Sequence, residues 1–516
     1  MNRRQFLTYS GRAAGACVAA ACTAADVPQI AEHRRNVLLL LFDDLRYDTF
    51  SFRNGSARTP HIDALADEST CFSSACTTTG LCSPSRACLF TGRWGHRTGL
   101  DDNCHVWHSR LTALDAENTT LIEWARRAGY FVGYFGKWHL GPDGPIRRGA
   151  HRYSDTGFER WGHRPVRMPN FDRIDRYYEK NETFTDKPEY YGTRRGTCEQ
   201  TPTYRKVRER TASLEEDVGR RPPFSVTVAI NGPHPPYIVP EPYNTMYGHR
   251  EIDLPVALNE STADKPGYQR SVLWPWHDVG HMSKEDWRKL QAHYYGFVTL
   301  VDRAVGEILM ALKSLSLQGN TLVVLAGDQG SMLGEHTLYD KGPYCYDELM
   351  RVPLLIRVPQ TPGRRIKRHV SLLDVNQTLV EWMGLHPDVS NVDSRSLFPL
   401  IRRGDTGWDG ADQAYYCYEW YNGDWYGIRA IRTHRYKYCW NPAGLDELYD
   451  LQEDPREKEN LIESPEYQAT LRDLQDRLLD HLRTTEDPAG KRMATELAAA
   501  RNLAAQSSST ERNWPG

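Results

Sequence analysis

At 516 residues, with 40% hydrophobic and 25% charged residues, the chain has the make-up of a globular protein with room for one large domain and a smaller one. A net charge of -3 excludes a general attraction to nucleic acid or to anionic membranes, so an anionic ligand must be met by a local cluster of positive groups. The eleven cysteines fit no zinc-ligand spacing and leave two readings open, pairing in an oxidising compartment or burial as small hydrophobes.

In chain order, residues 1–29 read as an export leader of the twin-arginine type. Arg3-Arg4-Gln5-Phe6-Leu7 precedes an alanine-rich stretch, 13–25, that is too short to span a bilayer. The mature chain is therefore expected to carry no transmembrane segment and to reside in a bacterial periplasm, with a lipid anchor at Cys22 as the alternative. Short apolar runs at 37–42, 130–135, 224–230 and 322–326 predict buried strands. Helical patterns at 62–67, 120–128 and 287–314 alternate with them. This order predicts an α/β fold with a large mixed, mostly parallel sheet sandwiched by helices, over residues 30–403. A smaller C-terminal α+β subdomain is expected at 404–487, with antiparallel strands in the tyrosine- and tryptophan-rich 414–440 and an amphipathic helix at 469–482. The alanine, serine and glutamine content of 488–516 predicts a loosely ordered tail.

Each predicted strand is followed at once by polar residues, where open α/β sheets place their ligands. The clusters are Asp43-Asp44, Gly136-Lys137-Trp138-His139, Asn231-Gly232-Pro233-His234 and Gly327-Asp328-Gln329-Gly330. Asp43, Asp44, Asp328 and the amide oxygen of Gln329 form an all-oxygen set suited to a hard divalent cation, calcium before magnesium. Alone, Asp43-Asp44 also fits a helix cap or a solvated turn. Lys137 and His139, two apart, project from one face of an extended segment. His234, between two prolines, is a candidate proton donor or acceptor, and Lys341 adds positive charge.

In Cys82-Ser83-Pro84-Ser85-Arg86, the proline suits a first helical turn and Gly92 a C-terminal stop. Cys82 is then expected at a helix N-terminus, where unpaired N–H groups and the helix dipole would lower its thiol pKa and attract a tetrahedral anion. Arg86, four residues on, could fork onto the same reacting group. A plain capped helix with a buried cysteine is the alternative for the string alone.

Taken together these residues resemble the type I sulfatase family, which shares its fold with alkaline phosphatase. The resemblance runs from Asp43-Asp44 through Thr59-Pro60-His61-Ile62-Asp63, the Cys82 string to Thr91-Gly92-Arg93, and Gly136-Lys137-Trp138-His139-Leu140-Gly141. It continues through Pro233-His234-Pro235-Pro236-Tyr237, Gly334-Glu335-His336 with Lys341, Arg351-Val352-Pro353-Leu354 and Leu448-Tyr449-Asp450-Leu451. It implies that a separate maturation enzyme oxidises Cys82 to formylglycine. One hydroxyl of the hydrated aldehyde would attack sulfur, with Asp43, Asp44, Asp328 and Gln329 holding the metal, which the resemblance also places against Cys82. Lys137, Lys341 and Arg86 would offset the developing charge, His234 would protonate the leaving oxygen, and His139 would take the proton from the second hydroxyl. Gln329 departs from the asparagine or histidine usual at its position. The expected substrate is a sulfated polysaccharide or its oligosaccharides, with the Arg-, Tyr- and His-rich 151–203 stretch and Trp274-Pro275-Trp276-His277 shaping a carbohydrate pocket. The alternatives are a phosphoester or phosphonate monoester hydrolase on the same scaffold and an inactive binder of sulfated glycans.

Overall fold

The computed structural model describes residues 35–511, except 105–108, 110, 155–190, 195–222, 270–277, 386–391 and 409–411. The leader, most of the 151–203 stretch and Trp274-Pro275-Trp276-His277 lie outside the described residues. Among the described residues, no helix is long and apolar enough to cross a membrane.

The strands are β1 (Asn36–Phe42), β2 (Thr70–Cys76), β3 (Phe131–Gly136), β4 (Arg152–Ser154), β5 (Tyr191–Arg194), β6 (Phe224–Ile230), β7 (Tyr237–Pro240), β8 (Thr321–Gly327), β9 (Leu354–Arg357) and β10 (Arg364–Ser371). Eight of them form one sheet in the order β10-β2-β9-β8-β1-β6-β3-β4, while β5 and β7 pair separately. All neighbours in the large sheet are parallel except β9, which runs antiparallel to both β2 and β8.

Asn36-Val37-Leu38-Leu39-Leu40-Leu41-Phe42 lacks polar alternation because both of its faces are covered. Leu38, Leu40 and Phe42 enter a core with the helix Lys284–Ser314. Val37, Leu39 and Leu41 enter a second core on the other face, with Ala87, Leu89 and Phe90 of the helix Cys82–Thr91. Ser283 and Asp286 start the long helix with a reciprocal capping box. Helices α1 (Pro60–Asp67) and α2 (Cys82–Thr91) begin close to their expected positions, and Gly92 ends α2 in the left-handed region at φ 69°.

Strands β11 (Ala414–Tyr421), β12 (Asp424–Arg432), β13 (Tyr436–Trp440) and β14 (Glu447–Asp450) form an antiparallel meander. One face, with Ile431, Tyr438, Trp440 and Leu448, packs on Leu471, Leu474 and Leu478 of the helix Gln468–Thr484. The opposite face, with Tyr416, Tyr418, Ile428 and Ala430, packs on Leu81, Tyr344, Tyr346 and Leu349. The small sheet thus rests against the residue before Cys82 and the segment after Lys341.

The tail departs from the loosely ordered stretch expected at 488–516, because Ala489–Glu511 is a helix. Met493 and Leu497 are buried on the preceding helix, and Trp440 donates Nε1–H to Glu496 Oε2 at 2.9 Å. The alanines counted there as a mark of low order are strong helix formers once an apolar stripe has a surface to cover. Apart from half-buried Cys417, the described cysteines are buried, which favours the small-hydrophobe reading for them.

Candidate active site

The parallel strands deliver their C-terminal ends to one rim, and β1, β3, β6 and β8 are followed there by the predicted clusters. Asp43, Asp44, Cys82 and His234 bring one ligand atom each to within 4.8 Å of one another. Asp43, Asp44 and Asp328 are fully buried, as are Arg86, Lys137 and Gln329. Asp44 adopts φ 59°, with its carbonyl accepting the Tyr294 hydroxyl at 2.9 Å, so a tyrosine of the long helix fixes the carboxylate's backbone.

Three cations enter this acidic centre. Lys137 Nζ pairs with Asp43 Oδ2. Lys341 Nζ donates to Asp44 Oδ2 and Oδ1 at 2.8 and 3.0 Å. Arg86 Nε donates to Asp328 Oδ2 at 2.8 Å and Nη1 to the Lys137 carbonyl at 2.7 Å. The expected fork of Arg86 is therefore largely spent on joining the ends of β3 and β8, and Nη2 alone has no hydrogen-bond partner among the described residues.

Four carboxylates, Asp43, Asp44, Asp328 and Asp340, face these three cations, and the excess shows in their acidities. Burial and the neighbouring Asp43 push Asp328 up to about 7 against the pull of Arg86 and Lys137. Burial pushes Asp340 up to about 8, with Lys341 opposing and Asp44 reinforcing. Asp43 itself stays below the usual carboxylate range, because Lys137, His234, Arg86 and Lys341 together outweigh its burial. Gln329 turns Nε2 toward Asp43 Oδ1 at 3.2 Å, Asp44 Oδ1 and Cys82 Sγ at 3.2 Å, while its buried Oε1 has no partner among the described residues. An excess of buried carboxylate beside an orphaned amide oxygen fits a hard divalent cation.

Two expectations for Cys82 change. Its thiol pKa is raised, not lowered, because burial and the charge of Asp43 outweigh Lys137 and Lys341. The helix end is also short of free donors: Ser83 N–H goes to Asn103 Oδ1 at 3.0 Å, Pro84 has none, and Ser85 N–H goes to the Leu81 carbonyl at 3.0 Å. An anion at this helix end is met chiefly by side chains.

His234 donates Nδ1–H to the Pro235 carbonyl at 2.6 Å, since that oxygen can only accept. Its Nε2 therefore faces the centre, 3.8 Å from Asp44 Oδ2. Burial and Lys341 lower its pKa. His139 is buried at φ 58°, and its carbonyl accepts Ser83 Oγ–H at 2.7 Å, which ties it to the start of α2.

Residues 35–385 match the sulfatase family model, and 334–484 match that of the N-sulphoglucosamine sulphohydrolase C-terminal region. The chain belongs to the sulfatase family. It is a sulfuric ester hydrolase of the alkaline phosphatase superfamily. Among its relatives, the ulvan-active sulfatase of Formosa agariphila is 28% identical over 86% of this chain and 80% of its own. The N-acetylglucosamine-6-O-sulfatase of Bacteroides thetaiotaomicron is 25% identical over 85% of each. Among solved structures, the phosphonate monoester hydrolase of Agrobacterium radiobacter superposes with a TM-score of 0.73 at 25% identity, covering 88% of this chain and 96% of its own.

In this sulfatase, several supporting residues were not singled out from sequence. Ser85 Oγ donates to the Asp328 carbonyl at 2.6 Å and meets Thr77 Oγ1 at 2.8 Å. Asn103 caps Ser83, and Asp102 accepts Asn103 N–H at 2.7 Å. No periodicity marks Asp101-Asp102-Asn103, and only its closeness in sequence to the Cys82 helix hinted at it. A second cluster, His369, Asp412 and His434, lies away from this centre. Arg432 Nη1 donates to His369 Nε2 at 2.7 Å, so the ring proton sits on Nδ1 and bonds Asp412 Oδ1 at 3.0 Å. That is a hydrogen-bonded strap, and its Nδ1 has no lone pair to give a metal.

Proposed function

We propose that this exported sulfatase removes sulfate from a polysaccharide or its oligosaccharides, with Cys82 converted to formylglycine by a maturation enzyme and a divalent cation, calcium before magnesium, at the acidic centre. The observation that carries the reading is the convergence of Asp43, Asp44 and Gln329 on Cys82 Sγ, with Lys137, Lys341 and the Arg86–Asp328 pair around them. Formylglycine would supply a hydrated aldehyde, whose hydroxyl can attack sulfur in line with the departing alcohol. The cation would be held by Asp43, Asp44, Asp328 and Gln329 and would supply Lewis acidity toward the sulfate oxygens.

The chain's own residues do the rest. Lys137, Lys341 and the free Nη2 of Arg86 hold the equatorial sulfate oxygens in a water-poor site where each charge counts heavily. His234, its Nδ1 committed to Pro235, offers Nε2 to protonate the leaving alcohol oxygen, with Lys341 beside it. His139, held at the start of α2, takes up the proton released as sulfate departs. The Arg3-Arg4 leader supports export to the periplasm, and the names of the ulvan-active and N-acetylglucosamine relatives support a saccharide substrate.

Parallel assays on an aryl sulfate and the matching aryl phosphate test the chemistry. The sulfate is expected to turn over faster, activity to fall on chelation, and calcium to restore it better than magnesium. A clear phosphate preference would overturn the assignment in favour of the phosphoester reading.

A further inference from the structure

Strands β11 and β12 are joined by Asn422-Gly423, with positive φ at both (51° and 88°), the turn that lets a hairpin keep its natural twist. This tip is anchored on two sides of the catalytic centre. Asp102 accepts Asn422 N–H at 3.3 Å and Gly423 N–H at 2.9 Å, next to the Asn103 that caps Ser83. Tyr421 donates its hydroxyl to the carbonyl of Lys341 at 3.1 Å. The hairpin is therefore fixed between the start of the Cys82 helix and the lysine that grips Asp44.

Around this tip, three buried polar groups have no hydrogen-bond partner among the described residues: the hydroxyls of Tyr344 and Tyr418 and Nδ2 of Asn422. The rings of Tyr418 and Tyr421 lie 6.3 Å apart, and both pack in one cluster with Tyr344 and with Leu81, the residue before Cys82. The charge of Lys341 bears on both unpartnered phenols. Folded proteins rarely leave such groups unsatisfied, and three around one turn near Lys341 call for an occupant. Two neutral phenols and a carboxamide match hydroxyl groups, which can both donate and accept, better than they match a further anion.

We infer that Tyr344, Tyr418 and Asn422 form a hydroxyl-binding wall that recognises the sugar on the alcohol side of the scissile ester. The inference rests on the saccharide reading proposed above and deepens it by naming the contacts. The sulfate group is held by the cations and the acidic centre, whereas this wall distinguishes a polyhydroxylated alcohol from a flat phenol.

The test compares kcat/KM on a panel of sulfated mono- and disaccharides with kcat/KM on 4-nitrophenyl sulfate. The full-length wild type is set beside Tyr344→Phe, Tyr418→Phe and Asn422→Ala, with thermal midpoints confirming that each variant is folded. The ratio of saccharide to aryl activity is expected to fall about tenfold or more in at least two variants, through KM more than kcat. If the wild type desulfates saccharides and the ratio is unmoved in all three, the groups hold only buried water and the inference is overturned while the saccharide reading stands. A wild type that turns over the aryl ester but no saccharide overturns both.

Discussion

At the residue scale, the strand-end candidates were legible because each sits directly after an apolar strand, where chemistry and chain order coincide. Asp43, Lys137, His234 and Asp328 could be found that way, and all four converge. What could not be read was how their charges divide. Arg86 spends two of its nitrogens on Asp328 and the Lys137 carbonyl, which only the three-dimensional arrangement shows. Arg86→Lys would keep the charge and lose the fork, so Asp328 is left buried without its partner. The expected outcome is a loss of about 3–5 kcal/mol in denaturant unfolding, with aryl sulfate activity reduced at least tenfold. Asp102 was silent in sequence because its role is to accept three backbone N–H groups, of Asn103, Asn422 and Gly423. Asp102→Ala strands those donors and loosens the residue that caps Ser83. A fall in kcat on an aryl sulfate is expected there. An unchanged kcat would show that the clamp has no bearing on catalysis.

At the element scale, the apolar strands were visible because burial on both faces writes an uninterrupted hydrophobic run, as in β1. Strands β2 and β10 were not visible. Thr70-Cys71-Phe72-Ser73-Ser74-Ala75-Cys76 is small and polar, and Arg364-Arg365-Ile366-Lys367-Arg368-His369-Val370-Ser371 carries the charges of an edge strand. The C-terminal helix is hidden for a different reason: its composition says nothing of the surface it covers. Met493 is fully buried against the helix Gln468–Thr484, so Met493→Ala is expected to cost about 2–5 kcal/mol in thermal or denaturant unfolding. A change under half a kcal/mol would mean that Ala489–Glu511 is not docked.

At the scale of the whole molecule, the small sheet acts as a brace for the catalytic centre. Asp347, six residues after Lys341, is held by Arg432 at 2.8 and 2.7 Å and by Lys437 at 2.7 Å, all buried. The helix Gln468–Thr484, on the other face of that sheet, carries an acid-sensitive group. His481 stacks on Tyr415, and burial lowers its pKa from the ordinary 6.5 to about 4, with His96 adding to the shift and Asp487 opposing it. The unfolded chain then binds a proton more readily than the folded one. The contribution is present above pH 6.5 and lost progressively as pH falls toward 4. His481→Gln is expected to flatten the decline of the thermal midpoint across that window, and an unaltered decline would assign the acid sensitivity elsewhere.

The proposed chemistry turns on what Cys82 is in the working enzyme. The most direct measurement is the mass and reactivity of the Cys82 peptide from protein made in its native host and shown to hydrolyse an aryl sulfate. The predicted result is a residue that has exchanged its thiol for a carbonyl, resists alkylation and reacts with a hydrazide. Fully alkylatable Cys82 in an active preparation would contradict it.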